Sequence, residues 1–244
     1  MAVKQPLARS PAATALHLVA LAVLSWAFHQ LFLPGPMTDF MNKMHRGGRW
    51  QYLTILSLAV SWATFAFALL YDLAPIALFS RTKSTLALLV VPIEGLVSVL
   101  YWSLMLLDPG LLNPAVAPGE EPFRIPLKLD LALHAFPAIL LWIDFLAFSP
   151  PLPRRARPAL IASIATASYC VWMEYCAQGN GHYPYPMLDD MSPLARSAFY
   201  LVQVPVLIGL FHAANGVHHL VRGSSPHQPE AQAVRRAENK VKAL

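Results

Sequence analysis

Two side chains in different apolar stretches of the sequence, Thr54 and His134, could together perform nucleophilic chemistry. A hydroxyl becomes an effective nucleophile when a neighbouring base takes its proton, and imidazole is the commonest such base in proteins. Asp130 precedes His134 by one helical turn, so it points the same way and could orient the ring. These residues are candidates for acyl transfer, and structural hydrogen bonding inside a helical bundle is the alternative.

Further polar residues lie within the same apolar stretches, where an ionisable group is costly and usually faces the bundle interior. Thr54, Ser57, Ser61 and Thr64 fall on one helical face, a pattern typical of close helix packing. Asp144 falls near the end of its stretch, where we expect contact with solvent. The candidates for orienting the reacting groups or lining their cavity are Asp130, Ser57, Glu94, Tyr101, Glu174 and Asn215.

The composition is that of a membrane protein. Of the 244 residues, 56% are hydrophobic and 13% are charged, about half the charged share of a soluble domain. Because a helix needs roughly 20 mostly apolar residues to cross a bilayer, we predict an all-α fold, a polytopic membrane bundle of about six transmembrane helices. The predicted spans cover residues 12–33, 50–71, 84–107, 126–148, 158–176 and 194–221. They form one membrane domain over residues 1–222, followed by a polar tail at 223–244.

Lysines and arginines are distributed unevenly between the loops on the two sides of the membrane. Twelve lie on the side of the two termini and six on the other. The positive-inside rule therefore predicts that both termini are cytosolic. With this topology the spans of Thr54 and His134 both begin at the non-cytosolic face, and the two residues lie roughly 6 and 12 Å deep. They are expected in the same leaflet.

Several classes of function find no support in the sequence. It has no GxSxG elbow, no Walker A motif and no GxGxxG loop. His212, His218 and His219 form a single histidine cluster, so we expect no metal and no cofactor, with His218 and His219 at the cytosolic interface. The net charge of +5 is spread over short loops, which argues against a nucleic-acid partner.

Four segments resemble blocks of a known family, in the same order and with the same number of spans. They are GGRWQYLT at 47–54, VPIEGLVSVLYW at 91–102, LDLALHAFPAILLWID at 129–144 and SYCVWMEYCAQGNGHYPYPMLDDM at 168–191. The family they resemble is the FAR-17a/AIG1-like family, which includes the androgen-induced gene 1 and androgen-dependent TFPI-regulating proteins. The last of the four segments is more similar to fungal members than to animal ones.

The resemblance implies a membrane-embedded threonine hydrolase that cleaves fatty acid esters of hydroxy fatty acids. It implies Thr54 as the nucleophile and His134 as the general base, while Asp130 stands where animal members carry asparagine. The partners it implies are a lipid ester substrate and the surrounding membrane lipids. Arg46 or Arg49 at the membrane surface could attract the free carboxylate of such a substrate, or anchor the helix at the interface.

The end of the chain, KVKAL, places Lys240 and Lys242 where a dilysine retrieval signal would have them. This pattern predicts the endoplasmic reticulum membrane rather than the plasma membrane, although two lysines in a basic tail also arise by chance. Two other functions remain open from the residues alone. One is a non-catalytic lipid-binding or regulatory membrane protein, and the other is a small transporter that uses the intramembrane carboxylates of Glu94, Asp144 and Glu174.

Overall fold

The computed structural model describes residues 10–43, 45–113, 124–153 and 156–222, and every regular element in these residues is a helix. In chain order the helices are α1 (Pro11–Gln30), α2 (Pro36–Lys43), α3 (Leu53–Leu73), α4 (Ala77–Leu107), α5 (Leu127–His134), α6 (Phe136–Phe148), α7 (Pro158–Asn180), α8 (Pro186–Asp189) and α9 (Pro193–Arg222). Short 3₁₀ turns cover Gly48–Gln51 and Pro109–Leu111. The all-α prediction is confirmed.

Helix length and composition also agree with the predicted membrane crossings. Within the described residues, α1, α3, α4, α7 and α9 are each long and apolar enough to cross a membrane. Helices α5 and α6 pass the same test as a pair that is bent by 41°. The prediction of about six spans is therefore confirmed, with the bent pair as one of them. The tail at 223–244, including Lys240 and Lys242, lies outside the described residues, and the orientation of the termini stays a prediction.

The largest difference in bounds concerns α4, which begins at Ala77 instead of residue 84. Its first two turns carry Arg81 and Lys83, which interrupt the apolar run without preventing a helix. A hydropathy window marks only the part of a helix that matches the hydrocarbon core, so it misses such an extension. The two additional turns bring Lys83 inside the bundle.

The bend between α5 and α6 lies at Ala135, two residues before Pro137. Proline lacks an N–H group, and its ring clashes with the carbonyl four residues earlier, so the helical hydrogen bonds are interrupted here. The carbonyl of His134 instead accepts hydrogen bonds from Ser98 Oγ at 2.6 Å and Trp102 Nε1 at 3.2 Å. Helix α4 therefore holds the bend and fixes the backbone of His134.

The packing of the bundle leaves a cleft beside α3 and α4. Helices α3 and α4 pack against each other, and α1 lies against α3 and buries Ala13, Ala20 and Ala27, small residues that allow helices to approach closely. Helix α7 packs chiefly along α9. The space between α7 and the α3–α4 pair becomes the cavity described below.

Asp144 belongs to a buried ionic cluster at the end of the bundle where α6 ends, and the prediction that it is solvated is wrong. It is 1% exposed, and its carboxylate lies 2.5 Å from Lys83 Nζ and 2.9 Å from His17 Nε2. His17 Nδ1 lies 2.7 Å from Asp72 Oδ2, and Ser149 Oγ donates to Asp144 at 3.1 Å. The carboxylate is buried because α4 and α1 supply it with cationic and donor groups.

His218 also departs from its predicted interfacial position. It is 3% exposed, and its Nε2 donates to the Ser149 carbonyl at 2.9 Å, whereas His219 is exposed as expected. Its Nδ1 is buried without a hydrogen-bond partner among the described residues. The ring packs against Phe145 with 5.0 Å between centroids, so His218 connects α9 to the end of α6.

Candidate active site

The turn that precedes α3 requires two glycines. Gly47 and Gly48 have φ values of 78° and 49°, in the left-handed region that side chains disfavour. A Cβ atom on Gly47 would also lie 2.5 Å from Cys176 Sγ and 3.3 Å from the Cβ of Gln51. The Gly-Gly pair therefore lets the start of α3 approach α7 closely.

Aromatic side chains from beyond the turn fix the first residues of α3. Trp50 O accepts a hydrogen bond from Trp172 Nε1 at 2.9 Å. The α3 N-terminus has no side-chain cap from its own N-cap residue. Instead, the N–H group of Leu53 donates to the hydroxyls of Tyr169 at 3.1 Å and Tyr185 at 3.3 Å. These phenols satisfy a backbone donor that a helix start otherwise leaves open, and they position the next residue, Thr54.

The Thr54 hydroxyl makes no hydrogen bond with any residue that the structure describes. A threonine inside a helix usually donates to the carbonyl four residues earlier, as Thr64 does to Val60 O at 2.7 Å. For Thr54 that carbonyl belongs to Trp50, which lies outside the helix and accepts from Trp172. The hydroxyl is therefore free to interact with a ligand.

Thr54 lines a cavity of about 120 Å³ between α3, α4, α7 and α9. Sites for small molecules are mostly apolar and carry a few polar side chains. Most of the lining is aliphatic or aromatic, and the polar side chains include Tyr101, Thr166 and Gln203. The apolar lining includes Ile93, Leu96, Val97, Leu100, Leu104, Met173, Met187, Leu188, Phe199 and Leu207. A cavity of this composition suits an alkyl chain.

His134 and Asp130 form a hydrogen-bonded pair, which their spacing of one helical turn allows. His134 Nδ1 lies 2.8 Å from Asp130 Oδ1, and both residues are buried. Since a carboxylate can only accept, Nδ1 carries the proton, and the lone pair of the neutral ring is on Nε2. No described residue makes a hydrogen bond to Nε2. The ring is thus oriented as a base would need to be.

Tyr101 lies between the imidazole and the cavity. Its ring stacks flat on His134, with 3.4 Å between centroids and an interplanar angle of 3°. Tyr101 lines the cavity, whereas His134 is not among the described residues that line it. Thr54 and His134 are not hydrogen-bonded to each other. The structure therefore brings the Thr54 hydroxyl, the Tyr101 ring and the His134 imidazole to one region, but without a hydrogen bond between the hydroxyl and the imidazole.

Ser57 and Glu94 do not line the Thr54 cavity. Ser57 Oγ donates to the Thr54 carbonyl at 3.2 Å. The Ser61 hydroxyl lies 2.8 Å from both the Ser57 carbonyl and Glu94 Oε1. Glu94 Oε2 is buried and has no hydrogen-bond partner among the described residues. Ser57 therefore contacts the backbone of Thr54, and Glu94 contacts α3 through Ser61.

Glu174 connects the segment between α7 and α9 to both helices. Its carboxylate accepts from Arg196 Nε at 2.9 Å, from Tyr200 Oη at 2.9 Å and from Tyr183 Oη at 2.6 Å. Burial and the hydrogen bond to Glu174 raise the pKa of Tyr183 to about 12, so the phenol remains a donor at physiological pH. Glu174 does not itself line the cavity, but it holds Tyr200, which does.

Asn215 lies outside this cavity, although we expected it as an orienting or lining residue. Its side chain accepts from the N–H of Leu152 at 2.9 Å and donates to the Leu152 carbonyl at 3.4 Å. An amide that pairs with both backbone groups of one residue has a structural role. The spacing of His212, Asn215 and His219 on α9 does not reveal this, because Leu152 lies in a different loop.

The two arginines near the turn are engaged with the protein. Arg46 donates to the Tyr175 carbonyl at 3.1 Å and lies over the Tyr175 ring, 4.4 Å from its centroid. Arg49 donates to the Leu31 carbonyl at 2.5 Å and lies 4.0 Å from the centroid of the Phe32 ring. Both contacts agree with an anchoring role. Within the described ranges, no group of three or more His, Cys, Asp or Glu side chains could hold a metal ion.

Comparison with known protein families shows which family this chain belongs to. The model of the family described as FAR-17a/AIG1-like protein matches residues 12–219, which include Thr54, Tyr101, Asp130 and His134. The chain belongs to the FAR-17a/AIG1-like family. The six spans fall within the matched region apart from Pro11 at the start of α1 and the last residues of α9.

Individual FAR-17a/AIG1-like relatives come from fungi and mammals. The UPF0641 membrane protein of Schizosaccharomyces pombe is 34% identical over 204 residues, covering 83% of this chain and 88% of the relative. The androgen-dependent TFPI-regulating protein of Mesocricetus auratus is 22% identical over 214 residues, covering 83% and 91%. The androgen-induced gene 1 protein of Homo sapiens is 22% identical over 169 residues, covering 63% and 69%. No solved structure matches the chain.

The structure adds residues that the sequence did not indicate for this FAR-17a/AIG1-like protein. Tyr169 and Tyr185 hold the start of α3, and Lys83 neutralises Asp144. In the sequence Lys83 resembled an ordinary loop cation, because it lies just before the apolar run. In the structure α4 extends beyond that run and includes Lys83. The density of aromatic residues in 168–191 was a visible signal, but it did not show which hydroxyl would contact which backbone group.

Proposed function

We propose that this FAR-17a/AIG1-like protein is a membrane-embedded threonine hydrolase that cleaves lipid esters, with fatty acid esters of hydroxy fatty acids as the substrate class. The observation that carries the proposal is the Thr54 hydroxyl, which has no hydrogen-bond partner among the described residues and lies on an apolar cavity beside the Asp130–His134 pair. A nucleophile, a base and a group that orients the base are the recurring parts of acyl-transfer enzymes. The apolar lining accommodates the alkyl chain of the substrate.

The reaction proceeds through an ester on Thr54. His134 Nε2 takes the hydroxyl proton while Thr54 Oγ forms a bond to the ester carbonyl carbon. The carbon–oxygen bond to the alcohol then breaks, and the proton on His134 passes to the departing alcohol. Water attacks the acyl-threonine by the same route in reverse, which releases the fatty acid and restores both side chains. For the first proton transfer, Tyr101 or the imidazole must move enough for Nε2 to reach Oγ.

The contacts of the carboxylates argue against the transporter alternative. Asp144 is paired with Lys83 and His17, and Glu174 accepts from three donors. Carboxylates with this many partners are costly to protonate and deprotonate in a transport cycle. Glu94, with one unpartnered oxygen, is the remaining candidate. A transporter would lose flux on Glu94→Gln substitution without any chemical turnover of lipid.

Covalent labelling tests the proposal directly. The purified protein in detergent should hydrolyse fatty acid esters of hydroxy fatty acids and react with a fluorophosphonate, and peptide mass spectrometry should find the adduct on Thr54. Ser84 and Thr85, exposed hydroxyls that donate to backbone carbonyls, should remain unlabelled. Ester cleavage by a protein that carries no adduct on Thr54 would place the nucleophile elsewhere. A protein with neither cleavage nor adduct would contradict the hydrolase proposal itself.

Substitution of Asp130 should separate its two contributions to the base. Asp130→Asn keeps an oxygen that can accept from Nδ1, so it loses only the negative charge and should lower kcat about tenfold. Asp130→Leu also loses the orientation of the ring and should lower kcat about 10²–10³-fold. Steady-state hydrolysis of a lipid ester measures both, and the exposed Asp190→Asn is the control. Equal kcat for Asp130→Leu and the wild type would remove Asp130 from the mechanism.

We also propose the endoplasmic reticulum membrane as the location. The support is the pair of lysines, Lys240 and Lys242, in the polar segment that follows the last span. Changing both lysines to serine should redistribute a fluorescently tagged protein (tag placed at the N-terminus) to later secretory membranes. An unchanged distribution would show that these lysines do not carry the signal.

A further inference from the structure

The Tyr101 hydroxyl is a buried donor without a partner. The residue is 9% exposed, and its phenol oxygen makes no hydrogen bond within the part of the chain that the structure describes. The nearby Asp130 carboxylate makes no hydrogen bond with the phenol, and one of its oxygens is already bound to His134. Buried tyrosine hydroxyls normally make a hydrogen bond, so the unpartnered hydroxyl of Tyr101 requires an explanation.

Comparison with the other tyrosines that line the same cavity shows that, among the described residues, the unpartnered hydroxyl is specific to Tyr101. Tyr169 donates to Gln51 O at 3.1 Å and accepts from Leu53 N. Tyr185 accepts from Leu53 N, and Tyr200 donates to Glu174. All three line the cavity and all three have hydrogen-bond partners. Of the four tyrosines, only Tyr101 has a hydroxyl with no hydrogen-bond partner among the described residues, and its ring also stacks on His134.

We propose that the Tyr101 hydroxyl donates a hydrogen bond to the carbonyl oxygen of the bound ester and stabilises the oxyanion. This inference rests on the proposed hydrolase function and identifies a residue that the proposed mechanism lacked. When Thr54 Oγ bonds to the carbonyl carbon, negative charge moves to the carbonyl oxygen, and a neutral donor in an apolar cavity stabilises it strongly. Tyr101 keeps its proton throughout, while the transferred proton passes through His134.

The position of Tyr101 suits this role because it joins the two halves of the site. It lines the cavity together with Thr54, and its ring lies on the face of the proposed base. The stack also limits rotation of the imidazole out of the plane that the Asp130 hydrogen bond defines. A substrate carbonyl that enters beside Tyr101 is thereby held next to both the nucleophile and the base.

Tyr101→Phe tests the hydroxyl alone, because phenylalanine keeps the ring that stacks on His134. We expect kcat for lipid-ester hydrolysis to fall about 10²-fold, with KM and the melting temperature nearly unchanged. Tyr175→Phe is the matched control, because it removes the same hydroxyl from an exposed tyrosine outside the cavity, and it should keep its kcat. Thr166→Val tests the alternative donor, since the Thr166 hydroxyl is also buried on the cavity without a partner among the described residues.

The outcomes separate this inference from the hydrolase proposal. If Tyr101→Phe keeps wild-type kcat while Thr54→Ala is inactive, the hydrolase stands and Tyr101 is not the oxyanion donor. If Thr166→Val loses kcat and Tyr101→Phe does not, Thr166 is the donor and the inference is wrong. If Tyr101→Phe lowers the melting temperature and leaves kcat unchanged, the hydroxyl has only a structural role. Full activity of Thr54→Ala would instead overturn the hydrolase proposal.

Discussion

Thr54→Ala is expected to lower lipid-ester hydrolysis by about 10³–10⁴-fold, because it removes the proposed nucleophile. The side chain makes no hydrogen bond to the described residues, so its loss should leave the melting temperature nearly unchanged. An effect on kcat without an effect on stability distinguishes a reacting group from a packing group. The measurement is the release of free fatty acid by purified protein, followed by mass spectrometry.

Thr64→Ala is a suitable control for this result. Thr64 belongs to the same hydroxyl stripe of α3, is buried and donates to the Val60 carbonyl, so it differs from Thr54 in having a structural partner. It should retain activity. Thr54→Ser should retain part of the activity, and His134→Ala should be as inactive as Thr54→Ala, with no additive loss in the double variant. Normal hydrolysis by both single variants would exclude the mechanism.

Lys83→Met is expected to destabilise the protein by about 3–5 kcal/mol, the largest effect on stability that we predict. Lys83 and Asp144 are each 1% exposed, so removing the cation leaves a buried carboxylate without its nearest positive partner. His17 remains near Asp144, but it is shared with Asp72. The free energy of unfolding can be measured by denaturant titration of the protein in detergent.

Lys128→Met makes the same chemical change at an exposed position of α5 and should alter stability by less than about 0.5 kcal/mol. The double substitution Lys83→Met with Asp144→Leu should cost less than the sum of the single substitutions, because it leaves no unpaired charge between them. A Lys83→Met variant as stable as Lys128→Met would show that the ionic cluster contributes little to folding.

The two clusters of polar groups therefore have different expected signatures. The cluster of Lys83, Asp144, His17 and Asp72 is saturated with partners, so its loss should affect stability first. The Thr54 cavity contains hydroxyls that have no hydrogen-bond partner among the described residues, so substituting them should affect chemistry first. Buried polar groups normally hydrogen-bond to one another. Several donors without partners on one cavity are therefore what a ligand site requires.

The sequence predicted part of the site because that part is local. Asp130 and His134 are one helical turn apart, so α-helix geometry predicts that they point the same way, and the structure adds the hydrogen bond between them. The Gly-Gly turn before Thr54 is likewise encoded in adjacent residues. The remaining contacts of α3 could not be predicted, since the phenol groups that hold Leu53 come from positions 116 and 132 residues away.

The predictions that used only the position of a residue within one helix were the least reliable. Asp144 is near the end of a span, but its exposure depends on Lys83 and His17, and the contact with His17 joins residues 127 positions apart. Asn215 falls on a polar face of α9, but its partner is Leu152, 63 positions away. The periodicity of one helix gives the direction of a side chain and not the identity of the group it meets.

The sequence by itself determined the helices, their approximate number and the family, because hydropathy, proline and glycine act over a few neighbouring residues. The all-helical fold and the six apolar spans follow from those local properties. Only the tertiary structure decided that Tyr101 lies over His134, that Lys83 meets Asp144 and that the Thr54 hydroxyl faces an apolar cavity. Each of these contacts depends on how separate helices pack, and packing distances between helices are not encoded in the periodicity of either one.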